Sequence, residues 1–317
     1  MPFISVTPAS ASLTQLPRLG ATNPDNYRRP LFLAVHPDPS ISAHRRPSFV
    51  YIMSILDNIR HLVPSVSWLL GPAEPTGPFT PTYNDVCRAR ALLKARNLPT
   101  ELVLIILDEA EYWPRIEFSR PANARPVVAR AHGNRSSAAT RCLEAQVFNN
   151  DVVNDLLSCN ETPKIKRIEF DVTSRDQGWT DQDTEGTYST SSWLEVSILR
   201  DASNINSLLP TPRLVNTWIS SPLDYHTNMV GRGWSLVKRP EDAIQGPQSG
   251  EGGYAWYLQG NRVMAGNDDY HVVWSEHGHE GNAGSGSGKG FLEALGEGDR
   301  VMVWARAKVH ATPEIGP

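Results

Sequence analysis

From Lys164 onward, apolar side chains fall on every second residue. Ile168, Phe170 and Val172 alternate with Glu169 and Asp171; Leu194, Val196 and Ile198 alternate with Glu195 and Ser197. Near the end, Val301, Val303, Ala305, Ala307 and Val309 alternate with Arg300, Met302, Trp304, Arg306 and Lys308. A period of two places one set of side chains on one face of an extended chain, so each run predicts a strand with one face in a core. Arg213–Ser220, Ala255–Leu258 and Tyr270–Glu276 read as further strands, separated by turn signals at Asp201, Pro222, Gly260-Asn261 and Gly266-Asn267-Asp268. Short strands without interleaved helices favour an antiparallel sandwich over a parallel sheet. We therefore assign residues 161–317 to a β-sandwich domain, long enough to bury a core of its own. Its expected inward set is Ile168, Phe170, Val196, Ile198, Val301 and Val303.

The preceding residues obey a different period. Tyr83–Arg96 and Pro99–Tyr112 suit two helices, broken before Pro99 and ended by Pro114. In the second, Leu98, Leu102, Ile105, Ile106 and Ala110 recur at helical spacing, with Asn97 as a cap and Pro99 in the first turn. Residues 83–160 thus form a helical segment and connector, although 115–160 are weakly patterned beyond a short helix or strand over Leu143–Leu157. Residues 1–82 read as a largely disordered leader and linker. They are rich in Pro and Ser, with a short helix around Ile55–Val63 and prolines at 72, 75, 78 and 81. The fold class is α+β: a short N-terminal helical segment followed by an antiparallel sandwich.

The run Leu98-Pro99-Thr100-Glu101-Leu102 resembles the opening of an F-box, whose first helix begins Leu-Pro-x-Glu-Leu. The likeness spans Leu98 to Trp113. It implies docking on a Skp-type adaptor of a ubiquitin ligase through Leu98, Pro99, Leu102, Ile105 and Ile106. Tyr83–Trp113, Phe170–Trp179, Trp256–Arg262 and Gly298–Ala307 are together similar to a group of fungal F-box-like proteins. Those join a helical piece to a tryptophan-rich β-domain of F-box-associated-like or galactose-binding-like type. A full F-box continues for about two more helices, whereas Pro114, Pro121 and Pro126 follow Trp113 here.

Charge and composition exclude several classes. A net charge of −4 and the absence of a basic stripe argue against nucleic acid as a partner, even with seven tryptophans after Lys164 available for stacking. No apolar run reaches membrane-spanning length and none has the signal-peptide form. The three cysteines, Cys87, Cys142 and Cys159, are far apart and form no CxxC pair, so reduced thiols in the cytoplasm or nucleus are expected.

The candidate ligand site is Asp176, Gln177 and Trp179, directly after a strand. A carboxylate, an amide and an indole at a loop end suit a glycan, whose hydroxyls meet polar groups and whose C–H faces meet aromatic rings. The same residues also suit a turn-capping Asp, a Gly at positive φ and a Trp plugging the sandwich. Asp268, Asp269, His271, Glu276, His277, His279 and Glu280 have the composition of a metal site, but their glycine-rich setting reads as a solvated hairpin tip; no metal or cofactor is expected. Gly284-Ser285-Gly286-Ser287-Gly288-Lys289-Gly290 departs from the phosphate-loop pattern at Ala283 and Gly290 and reads as a flexible connection. There is no Gly-x-Ser-x-Gly elbow and no His-Glu-x-x-His helix. The expectation is a non-enzymatic binding protein: an F-box-like substrate receptor with a protein or glycan ligand, or alternatively a stand-alone carbohydrate- or ligand-binding sandwich.

Overall fold

A computed structural model describes residues 3–7, 31–38, 79–121, 124–132, 134–148, 152, 154–156, 162–176, 183–202, 211–212, 214, 218–246 and 252–309. The chain divides into two compact units, residues 36–115 and residues 1–35 with 116–317.

The smaller unit holds helices α1 (Tyr83–Lys94) and α2 (Thr100–Glu109). Thr82 caps α1: its hydroxyl accepts the Asp85 N–H, and the Asp85 carboxylate accepts the Thr82 N–H at 2.9 Å, a reciprocal capping box. These bonds, backbone first, hold the Asp85 carboxyl below its ordinary pKa. The expected cap of α2 is corrected. Asn97 sits in the left-handed region at φ 61°, turning the chain out of α1, and Pro99 is the cap residue of α2. Asn tolerates that conformation because its short side chain can hydrogen-bond locally. The buried stripe of α2 is also displaced. Val103 and Leu107 pack with Val86, against Leu93, Leu98 and Tyr112, whereas Leu102, Ile105 and Ile106 are half-buried and Ala110 is exposed. Seven successive residues from Glu101 include six apolar ones, so the helix is apolar nearly all round and its sequence does not single out one face.

The larger unit is dominated by two mostly antiparallel sheets. One runs β11 (Gly278–Glu280), β10 (Asp268–Ser275), β6 (Thr162–Arg175), β1 (Phe3–Thr7), β4 (Val127–Arg130), with β2 (Leu31–Asp38) paired to β6 and to β3 (Arg115–Phe118). The other runs β5 (Ser137–Gln146), β12 (Arg300–Lys308), β7 (Ser192–Asp201), β8 (Trp234–Leu236), with β9 (Trp256–Gly260) also on β7. Registers align the apolar sets. Phe170 faces Val272 and Ile168 faces Trp274 in the first sheet, and Val303 faces Val196 and Val301 faces Ile198 in the second. Both sets enter one buried cluster, which holds all six residues of the expected inward set.

Three features depart from the sequence reading. The leader contributes β1 and β2, and the weakly patterned stretch before residue 161 contributes β3, β4 and β5. β5 is rich in alanine, a poor strand former, and its partner β12 supplies the bulk that its own side chains lack. Pro222 opens helix α3 (Pro222–Val230) behind the Ser221 cap, since proline at the first helical position loses no needed N–H. Finally, β7 and β12 are buried on both faces. On the second face Leu199, Met302 and Trp304 pack with Tyr225 and Met229 of α3 and with Trp234 and Leu236 of β8. The helix around Ile55–Val63 lies outside the described residues, and so does half of the expected strand over Arg213–Ser220; residues 214 and 218–220 are described and belong to no strand.

The Gly/Ser run is a packed crossing rather than a flexible connection. Gly286 N–H donates to the Leu258 carbonyl, and the Trp274 indole donates to the Gly286 carbonyl at 2.8 Å. A Cβ on Gly286 would lie 1.9 Å from the Tyr257 carbonyl oxygen, so only glycine permits this approach. Gly286→Ala should therefore destabilise by about 1–3 kcal/mol in denaturant titration, while Gly266→Ala, whose Cβ would meet nothing within 4 Å, should stay within about 0.5 kcal/mol. Phe170→Ala should lose roughly 3–5 kcal/mol in the same assay; a loss below about 1 kcal/mol would contradict the β6 register.

Candidate functional site

The outer face of the second sheet carries a cleft. β5 supplies one wall through Ala138, Ala139 and Arg141; Leu214, Trp218 and Ile219 supply another. Trp304 of β12 and Tyr225 of α3 complete the lining. The volume is about 370 Å³, at the small end of what small-molecule clefts enclose. Local sequence explains the placement. α3 starts at Ser221-Pro222, which sets Tyr225 one turn in, edge-on to Trp304 with ring centroids 5.0 Å apart. The Trp304 indole is held in turn by Ser197 at 3.0 Å, whose own hydroxyl donates to the Tyr254 carbonyl.

Polar groups converge at this cleft. The Tyr225 hydroxyl is buried and makes no well-formed hydrogen bond among the described residues. Burial pushes the phenol up to about 12, so it stays protonated and remains a donor at neutral pH. The charges of Arg141, Glu144 and Arg300 all act on it. Glu144 accepts from Arg141 on one oxygen, and from Arg300 (2.8 Å) and the Thr211 hydroxyl on the other. Arg300 also donates to Thr211 at 2.6 Å and lies 4.9 Å over the Trp234 ring. At the rim, the Arg135 guanidinium lies 4.7 Å over the Trp218 ring.

The expected ligand site is placed otherwise. Asp176 is 5% exposed and turned inward. Its carboxylate accepts the Ser192 hydroxyl and the Met264 N–H, within a cluster in which Asn261 bonds Ser174, Ser192 and the Arg175 carbonyl. Ser174 belongs to β6 and Ser192 to β7, so this cluster ties the two sheets at one end. Gln177 and Trp179 lie outside the described residues. Among the adaptor residues, Leu98, Leu102, Ile105 and Ile106 are half-buried and Pro99 is exposed.

The histidine- and carboxylate-rich run is spent on pairs. Asp268 accepts from Arg262, Asp269 from Thr173 at 2.5 Å, Glu276 from Lys166, and His271 meets Asp171 at 2.8 Å. No group of three or more such side chains comes together among the described residues. Cys142 is buried, and desolvation raises its thiol to about 12, so it is no nucleophile at neutral pH. No helix among the described residues is long and apolar enough to cross a membrane.

No protein-family model matches the chain, and neither a curated protein nor a solved structure matches it.

Tyr225, Arg141 and Trp304 were not singled out by sequence. The Ser-Pro helix start was the one available signal; nothing local marks Arg141, because the cleft is closed by residues far apart in the chain. Two outcomes follow from this arrangement. Tyr225→Phe removes a hydroxyl that makes no well-formed hydrogen bond among the described residues, so the unliganded variant should be as stable as the parent, or more stable by up to about 1 kcal/mol, in thermal melts. On the same helix His226 accepts the Leu236 N–H through Nδ1 at 3.0 Å and stacks on Tyr254. Burial holds its pKa below the ordinary value. The unfolded chain then binds the proton more readily, so this contribution is intact above about pH 6.5 and is lost as pH falls below it. The decline in denaturation midpoint between pH 7.5 and 5.5 should be smaller in His226→Phe.

Proposed function

We propose that the chain is a non-enzymatic binding protein whose two mostly antiparallel sheets form a sandwich of galactose-binding-like or F-box-associated-like type. Its ligand is a small molecule held in the Tyr225–Trp304 cleft. The observation that carries this reading is the buried Tyr225 hydroxyl, without a well-formed hydrogen bond among the described residues, beside an aromatic-lined hollow. A donor kept dry and poorly bonded is unfavourable in the free protein, and a ligand that accepts its hydrogen bond removes that penalty. The raised thiol of Cys142 and the fully bonded carboxylate of Glu144 favour binding over covalent chemistry. A fragment library that includes monosaccharides, followed by two-dimensional NMR, should give hits that shift the Trp218 and Trp304 indole resonances. Hits confined to other surfaces would refute the cleft.

A second reading rests on α2. Leu102, Ile105 and Ile106 keep part of their apolar surface exposed while Val103 and Leu107 face inward, which supports docking on a Skp-type adaptor in the cytoplasm or nucleus. Strand β3 follows α2 directly, so any adaptor contact falls on α1 and α2 rather than on a complete F-box. Changing Leu102 and Ile106 together to Asp should abolish capture of a purified Skp-type adaptor and leave the circular dichroism spectrum intact. Loss of folding in that variant, or no capture by the parent chain, ends this reading.

A further inference from the structure

A second hollow on the larger unit shares no lining residue with the Tyr225–Trp304 cleft. Its volume is about 390 Å³, and Lys238, Arg239, Glu241, Gln245, Gly252 and Gly253 line it. The local chain builds it. Beyond β8 the Val237 N–H donates to the Ile198 carbonyl, and the Arg239 N–H donates to the Gly253 carbonyl at 2.6 Å. Pro240 to Ala243 then turns, closed by the Ala243 N–H on the Pro240 carbonyl. The Arg239 guanidinium folds over that turn: Nη1 donates to the Ala243 carbonyl at 2.7 Å and to the Pro240 carbonyl at 3.3 Å. Ala243 belongs to the main buried cluster, so the turn that holds the guanidinium is itself anchored.

Arg239 is 6% exposed, yet no carboxylate meets it among the described residues. Backbone carbonyls answer one of its amino groups, which leaves Nε and Nη2 as a forked edge without an acceptor there. A buried guanidinium is unfavourable unless an anion compensates it. The acids of the turn are placed otherwise. Asp242 accepts from Lys289 at 2.5 Å. Glu241 stands 3.6 Å from the Lys238 ammonium, too far for a hydrogen bond, and its side chain is 91% exposed. Lys238 lies along Gly253, where a Cβ would come within 3.3 Å of its Cε. The hollow therefore presents two cations, the buried one without a counter-ion, and a single acid on the solvent side.

We propose that this hollow binds the phosphoryl group of a small phosphate monoester. Nε and Nη2 of Arg239 meet two phosphoryl oxygens side by side, and the Lys238 ammonium meets a third. A carboxylate has two oxygens, both taken up by the fork, whereas a phosphoryl group keeps one for the lysine and carries a second negative charge for the second cation. The hollow is of the size that holds a small organic ligand, and Gln245 offers an amide to the body of the ester. The turn carbonyls fix the guanidinium before the ligand arrives, so little side-chain freedom is lost on binding.

The test titrates the full chain with phenyl phosphate and with benzoate at constant ionic strength, while the Gly252 and Gly253 amide resonances are followed. Phenyl phosphate should bind about tenfold or more tightly than benzoate. Lys238→Gln and Glu241→Gln change exposed side chains and keep the fold. The first should weaken phenyl phosphate about fivefold, and the second should strengthen it about threefold by removing an opposing charge. Arg239→Lys keeps the charge and loses the fork, so it should abolish binding. Should that variant fail to fold, the two surface variants decide alone. Benzoate bound as tightly as phenyl phosphate overturns the phosphoryl assignment. Unaltered affinity in either surface variant, or no shift of either glycine with phenyl phosphate, overturns the site. None of these results touches the reading of the Tyr225–Trp304 cleft, which shares no residue with this hollow.

Discussion

Arg306 is wholly buried, and the organisation of the second sheet turns on it. Its guanidinium donates to Glu195 on β7, to the Ala138 carbonyl and the Ser137 hydroxyl on β5, and to the Ser220 carbonyl just before α3. One side chain on β12 thereby fixes both neighbouring strands and the start of the covering helix. Glu195 in turn accepts the Trp193 indole at 2.7 Å, and the guanidinium lies 5.2 Å from the Trp193 ring. A buried charge is tolerated only where nearly every donor and acceptor is answered; removing one member of such a pair strands the other at about 3–5 kcal/mol. The pair is thus less a source of stability than a constraint on which strands lie together.

That constraint turns a sheet with one expected core face into a sheet buried on both. On β7, Trp193, Glu195 and Ser197 alternate with Leu194, Val196 and Ile198, and all six are inside. The polar members serve the indoles: Glu195 holds Trp193, and Ser197 holds Trp304. Trp256 and Trp274 are held instead by the carbonyls of Lys289 and Gly286 in the glycine-rich crossing. These four tryptophans are core residues with satisfied N–H groups rather than stacking platforms. The cleft exists because α3 does not cover the whole of this second face.

The strands with strict alternation were legible in the sequence. Ile168-Glu169-Phe170 and Val301-Met302-Val303 placed their apolar members inward correctly, because a period of two allows only one assignment once a core is present. β5 was not legible. Its Ala138, Cys142 and Ala145 are small, and their burial comes from partners on β12 more than from their own hydrophobicity. α2 was legible as a helix and not as a face, since the run from Leu102 to Leu107 is apolar throughout. Asp176 was legible as a site of convergent polar groups; that they converge inward, on Ser192 and Met264, depends on two chain segments from opposite sheets meeting there.

The amino-acid sequence by itself determined the elements whose patterns are local: the break before Pro99, the helix stop at Pro114, and the inward apolar faces of β6, β7 and β12. Tertiary structure alone decided everything that needs two distant segments: which glycines must remain glycine, the pairing of Glu195 with Arg306, and the meeting of Tyr225 with Arg141. The physical reason is range. Backbone dihedrals and side-chain periodicity act over a few residues. A buried polar group takes its partner, or is left without one, according to contacts 80 to 160 residues away, as between Arg300 and Glu144 or Arg306 and Ser220.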